Sequence, residues 1–395
     1  MYIKKLFFYS IAVLAVCIAC HSCQTSQTVE IKTTIDSLSQ KWIPDLREGV
    51  AKIDFVANKN SIIIKGETDC HDLKNELINV LSNQGYQVID SLETLPSKTL
   101  GNHIYGVVAL SVINLRATPA HSAELVSQAL MGMPVKILKS TESWLLVQTP
   151  DKYIAWTEKS AVKTMTLTEL KNWTSAKKLI CTETSGWIYE TPEENGVIGD
   201  FVAGCVMEDY GIFRNHQKVS LPDGRTGYLR NKTFEDCFVW KNKPEPTGDD
   251  ILKTAVTVMG IPYLWGGTSS KGADCSGFVQ NVYFRNGIIL SRDASLQALH
   301  GLDVDVANDW SELQKGDLLF FGSIRNSKPR VTHVGIYKGD GDFIHSSGMV
   351  KINSFDSTKV NFSRSLKNSL LLAKRVIGHS AEEGIVAIKN HQLFN

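Results

Sequence analysis

The sequence predicts a multidomain chain with a small N-terminal α/β unit, two small β-barrels in tandem and a C-terminal α+β domain. Three observations carry this. Residues 51 to 92 alternate between strand-like and helical spacing; two later segments repeat the same turn pattern; and a polar, proline-bearing stretch, "KNKPEPTGDD", precedes a new helical pattern. At 395 residues the chain exceeds what one hydrophobic core normally serves.

The elements follow in order. "MYIKKLFFYSIAVLAVCIAC" places Lys4 and Lys5 ahead of an apolar run that ends in small residues and cysteines, the pattern of an export signal spanning 1–23. Cys20, preceded by Ala19, is the best-placed candidate for a lipidated first residue of the mature protein, with plain signal cleavage without lipid as the alternative; either way a protein exported to the periplasm is expected. Any membrane attachment would run through that lipid. In the α/β region, 24–104, a polar stretch reaches about Gln40. Asp54 to Val56 and Ile62 to Lys65 read as strands around an Asn-Lys-Asn turn, Asp72 to Gln84 as a helix, and Tyr86 to Ile89 as a further strand.

Segments 105–168 and 169–240 each open on a strand ending in Thr-Pro, then carry short alternating strands, a Pro-Asp turn (Pro150-Asp151, Pro222-Asp223) and a tyrosine after it (Tyr153, Tyr228). Regular short strands of this kind predict small barrels. The polar stretch 241–248 reads as a linker, 249–375 as the last domain and 376–395 as a tail.

Composition excludes some functions. Lys and Arg number 42 against 41 Asp and Glu, a net charge of +1, so no electrostatic footprint for nucleic acid exists. Outside the signal region the cysteines are Cys70, Cys181, Cys205, Cys237 and Cys275, with no CxxC pair and no cluster at zinc spacing, so neither a metal nor a cofactor is expected. Whether any of them pair is left open, as five thiols allow two bridges and one free group.

The chemistry concentrates around Cys275. In "GGTSSKGADCSGFVQNVYFRNG" glycines and polar residues run up to Asp274, and Phe278, Val279, Val282 and Tyr283 then follow at helical spacing. Cys275 thus falls in the first turn of a helix, where unpaired backbone N–H groups favour a thiolate. Downstream, Val331 to Tyr337 and Asp342 to Ser346 read as a hairpin with one histidine on each strand. A loop of three or five residues places His333 directly opposite His345, one as base and the other orienting it. A lone strand histidine is more often structural; two that can pair, downstream of a helix-start cysteine, favour catalysis.

The barrel pattern "NLRATP" with "WLLVQTPDKYIAW" resembles bacterial SH3 domains, more weakly in the second copy. "YLWGG", "DCSGFV", "THVGIY" and "FIHSSG" resemble the motif set of the NlpC-type cell-wall cysteine peptidases, a papain-like α+β family. That resemblance implies Cys275 as nucleophile, His333 as general base, His345 as the third member and Tyr263 beside the thiolate. Together with the SH3 copies it points to the γ-D-glutamyl-L-diamino acid endopeptidases, which release L-Ala-γ-D-Glu from peptidoglycan-derived peptides (muropeptides) whose L-Ala amine is free. It implies that Asp274 and Ser276, with Glu124 and Tyr153 of the first barrel, hold that ammonium and that Trp265 forms an apolar wall. "SRDASLQ" also resembles a segment near the cleft, where Ser295 or Gln297 would line the pocket; a plain helix start reads equally well. A monomer is expected. The competing readings are an autolysin cutting intact peptidoglycan and a non-catalytic wall-binding adaptor.

Overall fold

The computed structural model describes residues 27–58, 60–231, 233–306 and 310–395. The export signal and Cys20 lie outside them. Two compact units divide at Lys98/Thr99.

In the first unit a helix α1 covers 27–42, followed by β1 (Ala51–Asn58), β2 (Ser61–Thr68), α2 (His71–Asn83) and β3 (Gln87–Thr94). β1 and β2 pair antiparallel, β2 and β3 parallel. The stretch up to Gln40, read as merely polar, is helical. Ile31 and Ile35 lie one turn apart and join Ile62, Ile64, Leu77, Leu81 and Leu92 in the core.

The second unit holds the barrels and the last domain. The first barrel contains β4 (Tyr105–Val108), β5 (Val112–Arg116), β6 (Leu125–Leu130), β7 (Pro134–Ser140), β8 (Trp144–Gln148), β9 (Ile154–Glu158) and β10 (Val162–Met165). After α3 (Leu167–Ser175), the second contains β11 (Lys178–Cys181), β12 (Ser185–Tyr189), β13 (Val197–Val202), β14 (Val206–Phe213), β15 (His216–Ser220), β16 (Thr226–Arg230) and β17 (Phe234–Asp236). The strand orders are β10-β4-β7-β8-β9-β5-β6 and, read from its other edge, β17-β11-β14-β15-β16-β12-β13. Position for position these are the same order, so the repeat in turn chemistry is a repeat in topology.

A helix α4 (Cys237–Lys241) closes the second barrel, and α5 (Gly248–Val256) opens the last domain. α5 begins three residues before the expected Ile251, because Thr247 and Asp250 form a reciprocal capping box. A short hairpin, β18 (Thr268–Ser269) and β19 (Gly272–Ala273), leads into α6 (Cys275–Arg285) and β20 (Ile288–Leu290). Then come α7 (Ala294–Gln297), β21 (Leu302–Val304), β22 (Leu318–Arg325), β23 (Lys328–Gly339), β24 (Asp342–Ser347), β25 (Met349–Ser354), α8 (Arg364–Ser369) and β26 (Leu370–Arg375). Their sheet runs β21-β26-β22-β23-β24-β25. α6 buries Phe278, Val279 and Val282 with Val334, Ile336 and Ile344 of that sheet.

The segment 376–395 is not a separate tail. Its β27 (Ile385–Ala387) pairs antiparallel with β20, and Ile385 and Ile388 are buried. Three residues of alternation are too few to announce a strand, but burying them gains roughly 1.5–3 kcal/mol per large aliphatic side chain.

Candidate active site

Cys275 is the first residue of α6, and its N-cap Asp274 accepts a hydrogen bond from the Gly277 N–H (2.7 Å). The glycines framing it permit close approach. A Cβ on Gly277 would stand 2.0 Å from the Gly267 carbonyl oxygen, and one on Gly266, whose φ is +77°, would stand 2.3 Å from the Leu125 carbonyl oxygen of the first barrel. The loop ahead of the nucleophile is therefore clamped between helix and barrel. Burial, then the charge of Asp274, pushes the Cys275 thiol up to about 11, while the N–H groups of Val334 and Ser276 and the Arg292 cation pull it down. A neutral thiol is the resting form. Its thiolate is formed by proton transfer and received by the helix start.

Val334 follows His333 on β23, so the thiol sits against the strand that carries the base. His333 and His345 do not stand directly opposite each other. The turn is only Asp340-Gly341, with an irregularity at Lys338, and the register pairs Ile336 with Ile344 and Tyr337 with Phe343. His333 is thereby displaced by two residues from His345. Two is the side-chain period of a strand, so both rings keep the same face and meet diagonally, Nε2 of His333 to Nδ1 of His345 at 2.7 Å. His345 Nε2 meets Asn353 Oδ1 at 2.8 Å. Gly335 makes room, since a Cβ there would stand 3.1 Å from that of His345.

Both imidazoles are neutral. Burial lowers His333 to about 3, helped by the neighbouring His345, and lowers His345 to about 4 against the opposing hydrogen bond it donates to Asn353 Oδ1. Unfolded imidazoles bind protons near pH 6.5, so the unfolded chain carries more protons as pH falls from 6.5 toward 4. Stability is accordingly complete above 6.5 and declines below it, by up to about 1.4 kcal/mol per pH unit for each ring. Urea midpoints compared at pH 7.5 and 5.5 should fall more steeply for the native chain than for His345→Gln; equal slopes would refute the buried neutral pair.

Around Asp274 lies a network the sequence reading missed. Arg292, 1% exposed, donates Nη2 to Asp274 Oδ2 (2.6 Å), Nη1 to Asp274 Oδ1 (3.1 Å) and to Ser276 Oγ (3.0 Å), and Nε to Ser127 Oγ of the first barrel (3.0 Å). Asp274 also accepts from Gly266 N and Ser276 Oγ. Its charge is thus matched by a buried cation. Within "SRDASLQ" it is Arg292 that reaches Asp274 and Ser276; Gln297 is buried and donates to the carbonyls of Ser276 and Ser291.

Tyr263 is half-buried, and burial first, then the electrostatic influence of Cys275 and Asp274, pushes its phenol up to about 12. Tyr153 is buried in the first barrel within electrostatic reach of Arg292. Glu124, also of that barrel, accepts a hydrogen bond from the indole N–H of Trp265 (2.8 Å), which is 61% exposed. Gln128 accepts from Thr268 N and Ser269 Oγ, and Lys271 bridges to Ser111 and Asp200. The junction of barrel and peptidase domain thus brings Glu124 to Trp265, and Arg292 joins Ser127 of the barrel to Asp274 and Ser276 beside Cys275. The five cysteines among the described residues are free thiols, and no cluster there could hold a metal ion.

A helix-start cysteine, a base on the facing strand and a polar group behind that base define a papain-like cysteine peptidase. The chain belongs to the NlpC/P60 family, whose profile matches residues 260–366, and the profile of the bacterial dipeptidyl-peptidase Sh3 domain matches 115–162. It is 33% identical to the gamma-D-glutamyl-L-lysine dipeptidyl-peptidase of Bacillus cereus over 56% of this chain and 67% of that one. It is 30% identical to the dipeptidyl-peptidase 6 of Lysinibacillus sphaericus over 63% of this chain and 91% of that one. A crystal structure of an NlpC/P60 family protein from Bacillus cereus shares the fold, with a TM-score of 0.59 and 23% identity, over 69% of this chain and 99% of that one. This protein is a cell-wall cysteine peptidase.

Proposed function

We propose that the enzyme hydrolyses the γ-D-Glu to L-diamino acid bond of peptidoglycan-derived peptides whose N-terminal L-Ala amine is free. The observation that carries this reading is Glu124, a carboxylate projected by the first barrel and held at the peptidase motif by the Trp265 indole. Because Arg292 already balances Asp274, Glu124 supplies the net negative charge for an ammonium. Asp274, whose oxygens already accept from Gly266, Ser276, Gly277 and Arg292, holds Ser276 in place beside the nucleophile, Ser276 Oγ adds an acceptor, and Tyr153 and Tyr263 add phenols.

In this reading the Cys275 thiol gives its proton to His333 and the sulfur attacks the γ-carbonyl of D-Glu. The carbon–nitrogen bond to the diamino acid breaks as the leaving nitrogen takes that proton, leaving a thioester. Water, deprotonated by His333, then bonds to the thioester carbon; the carbon–sulfur bond breaks, the sulfur takes back the proton from His333, and L-Ala-γ-D-Glu is released. The segment ending at Cys20 supports export to the periplasm, where such fragments arise, and cell fractionation checks it.

Free L-Ala-γ-D-Glu-diamino acid tripeptide should be cleaved with higher kcat/KM than its N-acetylated form, and Glu124→Gln should raise KM for the free peptide about tenfold, the value of one charge-assisted hydrogen bond. Preference for the acetylated peptide would sink the proposal in favour of an endopeptidase acting on intact stems.

A further inference from the structure

We propose that Asn353 is a positioning residue that sets the tautomer of both histidines and so leaves Nδ1 of His333 as the proton acceptor. The inference deepens the catalytic reading above and rests on its Cys275–His333 pair.

One atom in this chain of contacts has no choice of role. The carbonyl oxygen of Asn361 can only accept, and it receives hydrogen bonds from Asn353 Nδ2 (2.8 Å) and the Ser354 N–H (2.9 Å). The Asn353 amide is therefore oriented with Oδ1 toward His345. Facing an acceptor at 2.8 Å, Nε2 of His345 must carry its hydrogen. A neutral imidazole has one N–H, so Nδ1 of His345 is a lone pair. The nitrogen 2.7 Å from that lone pair, Nε2 of His333, must in turn be the donor. What remains on His333 is an unprotonated Nδ1, the one ring nitrogen able to take the proton from the Cys275 thiol.

Each link depends on the one before, and the first is anchored in backbone. Ser354 bridges to Phe362 in parallel sense, so β25, an edge strand, and the 361–362 segment are fixed together. Without Asn353, His345 is free to carry its hydrogen on Nδ1. That hydrogen would oppose the N–H of His333, whose other tautomer has no lone pair for the thiol. Asn353 touches no reacting atom and acts through two rings.

The test reads the rings directly. In full-length chain with 15N-labelled histidine, two-bond 1H–15N spectra at pH 7 should assign His333 and His345 both to the Nε2–H tautomer. Asn353→Leu should shift both toward Nδ1–H or a mixture and lower kcat about 10- to 100-fold with KM for the tripeptide unchanged, the usual cost of losing an orienting partner. Asn353→Asp keeps an acceptor in place and should restore the tautomers and most of kcat. An Nδ1–H form of His333 in the native chain, or unchanged tautomers in Asn353→Leu, would overturn the proposal; the first needs no variant to fold. The spectra use no substrate, so their failure leaves the peptide specificity standing, and the acetylated-peptide comparison can fail with the tautomers as assigned.

Discussion

Cys275→Ala is expected to abolish turnover, lowering kcat by at least about a thousandfold, because a peptidase without its nucleophile retains only binding and oxyanion stabilisation. The fold should survive. Cys275 is 7% exposed and packs in the main cluster of the last domain, yet the substitution removes a single heavy atom, worth about 1 kcal/mol of buried apolar surface. His333→Ala should cost a comparable factor, and the two losses together should be far from additive, since thiol and imidazole act as one unit. Steady-state kinetics on the free tripeptide, with circular dichroism and thermal midpoints as the control for folding, decide the matter. Activity of Cys275→Ala within tenfold of the native enzyme would remove the thiol from the mechanism.

How much of this site was legible in the sequence depends on the range of the physics behind each residue. Cys275 at a helix start is local information: glycines, an Asp N-cap and apolar residues at 3.6 spacing all lie within a dozen positions. The histidines were legible by face but not by register. An odd or even count of turn residues decides the face, and the bulge at Lys338 preserved the parity while moving His333 two places along. Arg292 and Asn353 gave no such signal. "SRDASLQ" also reads as an ordinary helix start, and "VKINSF" as ordinary alternation; only the chain's return brings Arg292 onto Asp274 and Asn353 onto His345. The same holds for Glu124, which sits in a variable barrel loop and gains its place through an indole 141 residues away.

Arg292 carries the largest expected effect on stability. Its guanidinium is buried with Asp274 and hydrogen-bonded on three nitrogens, to Asp274, Ser276 and Ser127. Arg292→Met would leave the Asp274 carboxylate enclosed without its cation, a loss of about 3–5 kcal/mol for breaking one side of a buried pair. Asp274→Asn in the same chain removes the stranded charge, so the double variant should be more stable than Arg292→Met alone, and Arg292→Lys should fall between because an ammonium cannot span both carboxylate oxygens. The same logic reaches the nucleophile. Asp274 pushes the Cys275 thiol up and Arg292 pulls it down, so Arg292→Met should move iodoacetamide alkylation of Cys275 to higher pH, and the double variant should move it back. Urea unfolding and alkylation rates across pH 6 to 10 measure both. If Arg292→Met left the alkylation profile where the native enzyme has it, the guanidinium would be a packing element of the barrel junction, and the balance of charge beside the thiol would have to come from the helix start alone.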